Sequence, residues 1–262
     1  MSSDELLDDK WLKKLDRQSQ VILNRVVFNR KTFGEVFDKQ TLLLLGKLIS
    51  DGVIDQVDFP ISTGKEANIF RGTTPENTLV AIKIYRTATM TFKHIASYIE
   101  GDPRFSSGYT NRRDIIEEWA KKEYKNLELF RQANVRAPVP IKCVHNVLVM
   151  SYIGDKAKPA PLLKDVVLRN PQKIFDEIMV FIERMYAKKV VHADLSAFNI
   201  LLFRQKPYII DAGQAVLLDH PASQEFLTRD VHNIVSYFKK YHIPGNEQEI
   251  LTKLLKRKRG EP

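Results

Sequence analysis

The residues best suited to chemistry stand in VVHADLSAFNILLF, residues 190–203. Apolar, β-prone ends (Val190, Val191; Ile200 to Phe203) enclose a polar cluster of His192, Asp194, Ser196 and Asn199 that no core requires. His192, Asp194 and Asn199 fit H-x-D-x-x-x-x-N, the spacing of a phosphotransfer catalytic loop. There the aspartate orients a hydroxyl and takes its proton, and the asparagine reaches a metal. Asp and Asn also stabilise loops without any function, so the motif needs companions.

Phosphoryl transfer asks a protein for a phosphate cradle, metal ligands and a group that orients the nucleophile. Asp211 follows two β-branched residues in YIIDAGQAV, where kinases carry D-F-G, with Ala212 replacing the phenylalanine. Mg2+ takes a carboxylate plus substrate phosphates, so Asn199 and Asp211 together are the candidate metal ligands. Lys83 lies mid-strand in LVAIKIY, matching the strand lysine that meets the α- and β-phosphates. Its helix partner should be a glutamate: Glu123 in EYKNL, with Glu117 and Glu118 as alternatives. One hairpin before Lys83 stands ISTGKEANIF, with a single glycine, Gly64. Ser62, Thr63 and the amides around Gly64 could cover phosphates, although this is neither a Walker loop nor G-x-G-x-x-G. Each motif is modest alone; together they run in one consistent order.

The elements that must position these residues read as follows. Apolar residues Leu12, Leu15, Val21, Ile22, Val26 and Val27 recur at helical spacing, and a second helix near 39–50 stops at Asp51-Gly52. From Val53 to Tyr85 the pattern becomes short strands, with Pro75-Glu76-Asn77 as a hairpin turn. The segment 86–113 has no sustained apolar stripe, and so long a connection is usually functional or mobile. A helix from Ile115 follows, with Trp119, Tyr124, Leu127 and Phe130 near one face. Two strands, PVPIKCVHN and VLVMSYIG, come next, then a long helix from Pro171, then the opening stretch, and two helices close the chain. The expected fold class is therefore α+β. Residues 1–52 form an N-terminal helical extension, 53–153 a small ATP-binding lobe and 154–262 a mostly helical lobe with a basic tail. Clefts between lobes are where ligands sit.

Composition sets outer bounds. The 262 residues carry 44% hydrophobic and 28% charged side chains, the pattern of a soluble globular chain. One cysteine, Cys143, excludes an internal disulfide framework and suits a reducing cytosol. The N-terminus is acidic, unlike a signal peptide, and the apolar runs are too short for a bilayer. The expectation is a cytoplasmic protein with no membrane partner. A net charge of +9 makes an anionic partner plausible, and Lys253, Lys256, Arg257, Lys258 and Arg259 read as a loose tail that touches nucleic acid.

STGKEANIF, HADLSAFNIL and IIDAGQA together resemble the RIO family of atypical serine protein kinases, STGKEA most closely its type 1 branch. The likeness spans about Leu42 to Tyr241. It implies a bilobal protein-kinase-like fold with a truncated C-terminal lobe, ATP, and Mg2+ (Mn2+ as a substitute). By the same resemblance Asp194 is catalytic and Asn199 and Asp211 are metal ligands. Lys83 contacts phosphates, and Ser62, Lys65 and Glu66 line the loop above them. Met150 stands at the rear of the adenine pocket, with Ser151, Tyr152 and Ile153 as the hinge. The family also implies a role in maturation of the small ribosomal subunit, hence a pre-ribosomal particle and its rRNA as partners beside a protein substrate that includes the chain itself. Asp211 resembles an aspartate that is phosphorylated in an ATPase cycle.

Two readings share every site residue: a serine/threonine kinase or ATPase, and a nucleotide-gated assembly factor whose hydrolysis times release. No A-P-E follows Asp211, and 51 residues cannot hold an activation segment with several further helices. A third reading, a small-molecule phosphotransferase, is opposed by STGKEA and by the lack of a further acidic substrate-binding segment. Asp230 in FLTRDVHNIV is expected to open the following helix and tie it back to the catalytic loop.

Overall fold

The computed structural model describes residues 39–86, 98–99, 101–105 and 111–258. The helix expected through Leu12–Val27, most of the 86–113 connection and Arg259 lie outside them. Two compact units are formed: the residues up to 86 with Ile141–Tyr152, and those from 98 to Pro140 with Ile153 onward.

The first unit is a helix on a sheet. Helix α1 (Lys39–Ser50) ends where Gly52 adopts φ 69°, the left-handed conformation that glycine tolerates after a helix. Strands β1 (Gln56–Thr63), β2 (Ala67–Thr73), β3 (Leu79–Tyr85), β4 (Pro140–Val144) and β5 (Val147–Ser151) make a sheet ordered β1-β2-β3-β5-β4. The expected 75–77 turn closes on Thr74, which accepts from Asn77 N and donates to Thr78 O. Strand β3 is central and buried almost throughout, in keeping with the apolar residues on either side of Lys83. Leu45, Leu48, Val57, Phe70 and Ile82 share one core.

The second unit holds α2 (Arg112–Gln132), α3 (Pro171–Ala187), α4 (Ser223–Phe238) and α5 (Glu247–Lys258). Asn111 caps α2 by accepting from Asp114 N; Asn170 caps α3 from Lys173 N, with Pro171 in the first turn. Phe175 of α3 meets Phe238 of α4 edge to face, centroids 5.3 Å apart. Short pairs complete it: β6 (Val190–Val191) with β9 (Val216–Leu217), and β7 (Ile200–Phe203) with β8 (Lys206–Ile209). Arg204 and Gln205 turn the second pair with φ of 51° and 59°, the two-residue hairpin geometry.

Three expectations need correcting. The basic run from Lys253 is not a loose tail as far as Lys258: it is the end of α5, with Leu254 buried and Lys253 bonded to Glu183 at 2.8 Å. Asp230 does not open a helix; it lies in the middle of α4. On α2, Tyr124 is half-exposed while Lys122, Glu123 and Asn126 are buried, so the inward face is more polar than its apolar stripe suggested.

Candidate active site

His192 to Asn199 form the loop between β6 and β7, and Asp211 follows β8, so the paired strands bring both carboxylates to one side of the second unit. Asn199 O accepts from Ile210 N at 2.9 Å, and Ile210 O accepts from His192 Nε2 at 3.1 Å. A carbonyl can only accept, so Nε2 carries the imidazole proton; Nδ1 is buried without a partner among the described residues. The His192 ring also stacks on Phe130 of α2, centroids 5.8 Å apart. His192 thus ties the two loops together from beneath.

Asn199 Nδ2 donates to the Asp194 main-chain oxygen and to its Oδ2, both at 2.8 Å. Both bonds use the amide nitrogen, which leaves Oδ1, the atom a metal takes. Burial raises the Asp194 pKa above the usual carboxylate range; His192 and the Asn199 bond pull it down, and the charge of Asp211 pushes it up again. Two carboxylates close enough to repel, beside an amide oxygen, form a donor set that a divalent cation would relieve. No group of three His, Cys, Asp or Glu side chains suited to a metal stands together among the described residues. Mg2+ takes one or two carboxylates and completes its shell with phosphate oxygens and water.

The loop itself is held from α4. Asp230, 2% exposed, accepts from Ala193 N at 2.9 Å and Leu195 N at 2.7 Å. Arg229 donates to Ala193 O, and Asn233 to Leu195 O at 3.1 Å. Ala193 has φ 68°, a left-handed conformation that a residue other than glycine keeps only when its surroundings impose it. Burial pushes the Asp230 carboxyl up to about 6 despite these donors.

In the first unit, Lys83 is buried at mid-β3, opposite Ile69 of β2 and Leu148 of β5, with Nζ 5.2 Å from the Tyr85 ring centroid. Ser62 to Glu66 are exposed at the tip of the β1–β2 hairpin. There Gly64 N donates to Ala67 O at 3.0 Å and Arg86 N to Glu66 O at 2.8 Å. The Gly64 amide is therefore committed within the turn, and any cover over phosphates comes from side chains and the remaining amides. Met150 is buried opposite Ala81, and Ser151 pairs with Val80. Ile153 O accepts from Ala160 N at 3.0 Å.

Of the three glutamates left open on α2, Glu123 is 1% exposed, whereas Glu117 and Glu118 are half-exposed and Glu118 pairs with Lys121 at 2.6 Å. Glu123 alone of the three is buried, and a buried carboxylate must be partnered. The motifs did not reveal Lys122 and Asn126. Their only signal was an amphipathic stripe too polar on its inner edge.

Comparison with known proteins gives this arrangement its class. The RIO domain model matches residues 68–250, and the chain belongs to that family. The Rio1 serine/threonine kinase of Thermoplasma acidophilum is 47% identical over 171 residues, 65% of this chain and 90% of that one. The Rio1 kinase of Haloferax volcanii is 40% identical over 205 residues, 78% and 71% of the two chains. The human RIO1 kinase is 36% identical over 246 residues, 92% of this chain but 43% of its own length. These likenesses place the chain in the type 1 branch. Among solved structures, Rio2 kinase of Chaetomium thermophilum in an ADP/Mg2+-phosphoaspartate complex superimposes with a TM-score of 0.65 at 21% identity, covering 83% of this chain and 67% of that one. At that identity the likeness shows the fold alone, which is protein-kinase-like. No helix among the described residues is long and apolar enough to cross a membrane.

Proposed function

We propose that this chain is an ATP-dependent RIO-type serine/threonine kinase that moves the γ-phosphoryl group of ATP with Mg2+, and that Asp211 serves as a second acceptor in an ATPase cycle. The observation that carries the reading is the bonded pair Asp194–Asn199 held beside Asp211 through Ile210 N and Asn199 O. Asp194 orients the attacking hydroxyl and receives its proton, a role that its raised pKa favours. Asn199 and Asp211 would hold Mg2+, which when bound neutralises phosphate charge. Lys83 binds the phosphates, and Ser62, Lys65 and Glu66 lie over them. Met150 backs the adenine, which meets the backbone of Ser151 and Ile153.

One observation favours the ATPase side. Between β9, ending at Leu217, and α4, starting at Ser223, there is no room for a peptide-binding activation segment. The Chaetomium thermophilum Rio2 complex carries a phosphoaspartate, and Asp211 is the exposed carboxylate suited to that part here. In that step a carboxylate oxygen forms a bond to Pγ while the Pγ–O bond to ADP breaks; water then releases phosphate and restores the carboxylate. Timing of release from a cytoplasmic pre-ribosomal small subunit and its rRNA would use this cycle, with the net charge of +9 supporting the encounter.

Incubation with Mg2+ and γ-labelled ATP tests both arms. Label on serine or threonine, of this chain or an added protein, supports the kinase; free phosphate with hydroxylamine-labile label on Asp211 supports the ATPase. Asp194→Asn should lower turnover by about 10²–10⁴-fold while nucleotide still binds. Unchanged turnover would overturn the assignment.

A further inference from the structure

Asp211 itself adopts φ 62° and ψ 58°. This left-handed conformation costs on the order of 1 kcal/mol or more and persists only where neighbours impose it. Upstream, the Ile210 bonds supply that constraint. Downstream, the turn Ala212–Gln214 and Ala215 present their carbonyls to α2. Lys122 Nζ donates to Gly213 O at 3.0 Å and also to Ala215 O. Asn126 Nδ2 donates to Ala212 O at 2.7 Å and Ala215 O at 2.9 Å.

Behind these stands a second layer. Arg104 Nη1 donates to Asn126 Oδ1 at 2.7 Å, fixing which way the amide points, and Nη2 reaches Ala215 O at 3.4 Å. Asp102, 2% exposed, holds Arg104 through Nε at 2.9 Å and Nη2 at 2.7 Å. Trp119 closes the third side. A Cβ added to Gly213 would lie 3.1–3.3 Å from its indole, so α2 is seated directly on the turn. Lys122 and Asn126 are fully buried. A lysine placed there without function would cost stability that a leucine would not.

We propose that Lys122 and Asn126, braced by Arg104 and Asp102, are positioning residues for the metal loop: they hold the 212–215 turn in the one geometry that presents Asp211 to Mg2+. The inference deepens the functional reading above and rests on it. Ordinary kinases carry a phenylalanine after this aspartate that packs in alternative ways. Here Ala212 has nothing to swing, and a polar clamp of four donated bonds from α2 takes its place. The loop is locked rather than switched, so anything that displaces α2 or residues 101–105 displaces the metal ligand.

The test is calorimetric binding of ADP to the full chain, with EDTA and across a Mg2+ titration. Supporting groups around metal ligands typically change metal affinity by about 10–100-fold. Asn126→Leu and Lys122→Met should weaken the Mg2+-dependent gain in ADP affinity by that order, with Mg2+-free ADP affinity unchanged. A purely structural role would lower the melting temperature of the variants and leave the Mg2+-dependent gain intact, which would overturn the inference. Should either buried variant fail to fold, Arg104→Gln at the partly exposed rim decides, with a smaller loss in the same direction expected and an unchanged gain overturning it. A wild-type chain whose ADP binding ignores Mg2+ would instead overturn the metal-site reading itself.

Discussion

The catalytic loop and the metal loop solve one problem with opposite charges. Each carries a candidate carboxylate at or next to a left-handed residue: Ala193 precedes Asp194 in one, and Asp211 is itself left-handed in the other. Each is held by a buried ionisable group from a helix far away in sequence. The catalytic loop turns its amides inward, at Ala193 and Leu195, and meets the carboxylate of Asp230. The metal loop turns its carbonyls inward, at Ala212, Gly213 and Ala215, and meets the ammonium of Lys122 and the amide of Asn126. The polarity of the turn's backbone selects the sign of its anchor. A buried charge is tolerable only because oriented peptide dipoles stand in for water.

Breaking the acidic anchor should have the largest effect. Asp230→Ala strands two buried amides and should cost roughly 3 kcal/mol in urea unfolding, with turnover falling as Asp194 loses its support. A variant with wild-type stability would show that the amides find other partners.

The anchors should also differ in sign with pH. The native chain keeps the Asp230 proton to about pH 6, while the unfolded carboxyl loses it near 3.8. Native protein binds more protons in that window, so this group's share of stability is full below it and falls as pH rises through it. Burial brings Lys122 down to about 7 from 10.5. Unfolded protein binds more protons between those values, so stability rises with pH there. Each slope approaches about 1.4 kcal/mol per pH unit for one proton. Asp230→Asn should flatten the acidic slope alone and Lys122→Met the alkaline one. Unfolding free energies from pH 4 to 10 would show both, and a slope that survives its variant belongs to another group.

Smaller effects sharpen the contrast. Gly213→Ala presses a methyl on Trp119 at 3.1–3.3 Å and should cost about 1–2 kcal/mol, with Mg2+-dependent ADP binding weakened alongside. Lys121→Ala, one residue from Lys122 but 48% exposed and paired with Glu118, should shift stability by less than about 0.5 kcal/mol. Equal effects at Lys121 and Lys122, read from melting temperatures, would deny that burial against the turn distinguishes them.

Much was legible along the chain because it is written locally. Helix α1 spans Lys39–Ser50 as its periodicity and the Asp51-Gly52 stop required, and β3 follows the apolar run around Lys83. The spacing of His192, Asp194 and Asn199 marked the loop between β6 and β7, which the structure holds with a bond from Asn199 to Asp194. The neighbours in space were not legible. The Lys121-Lys122 pair reads as a solvated face until tertiary packing buries one member against carbonyls some ninety residues away. Asp230 read as a helix opening because a carboxylate near a helix start is a local signal, whereas its partners, Ala193 and Leu195, lie in another part of the chain. Local propensity and spacing determined which residues could act. Only the tertiary structure decided which buried charges hold them, because a desolvated charge is permitted only where the fold supplies its counterpart.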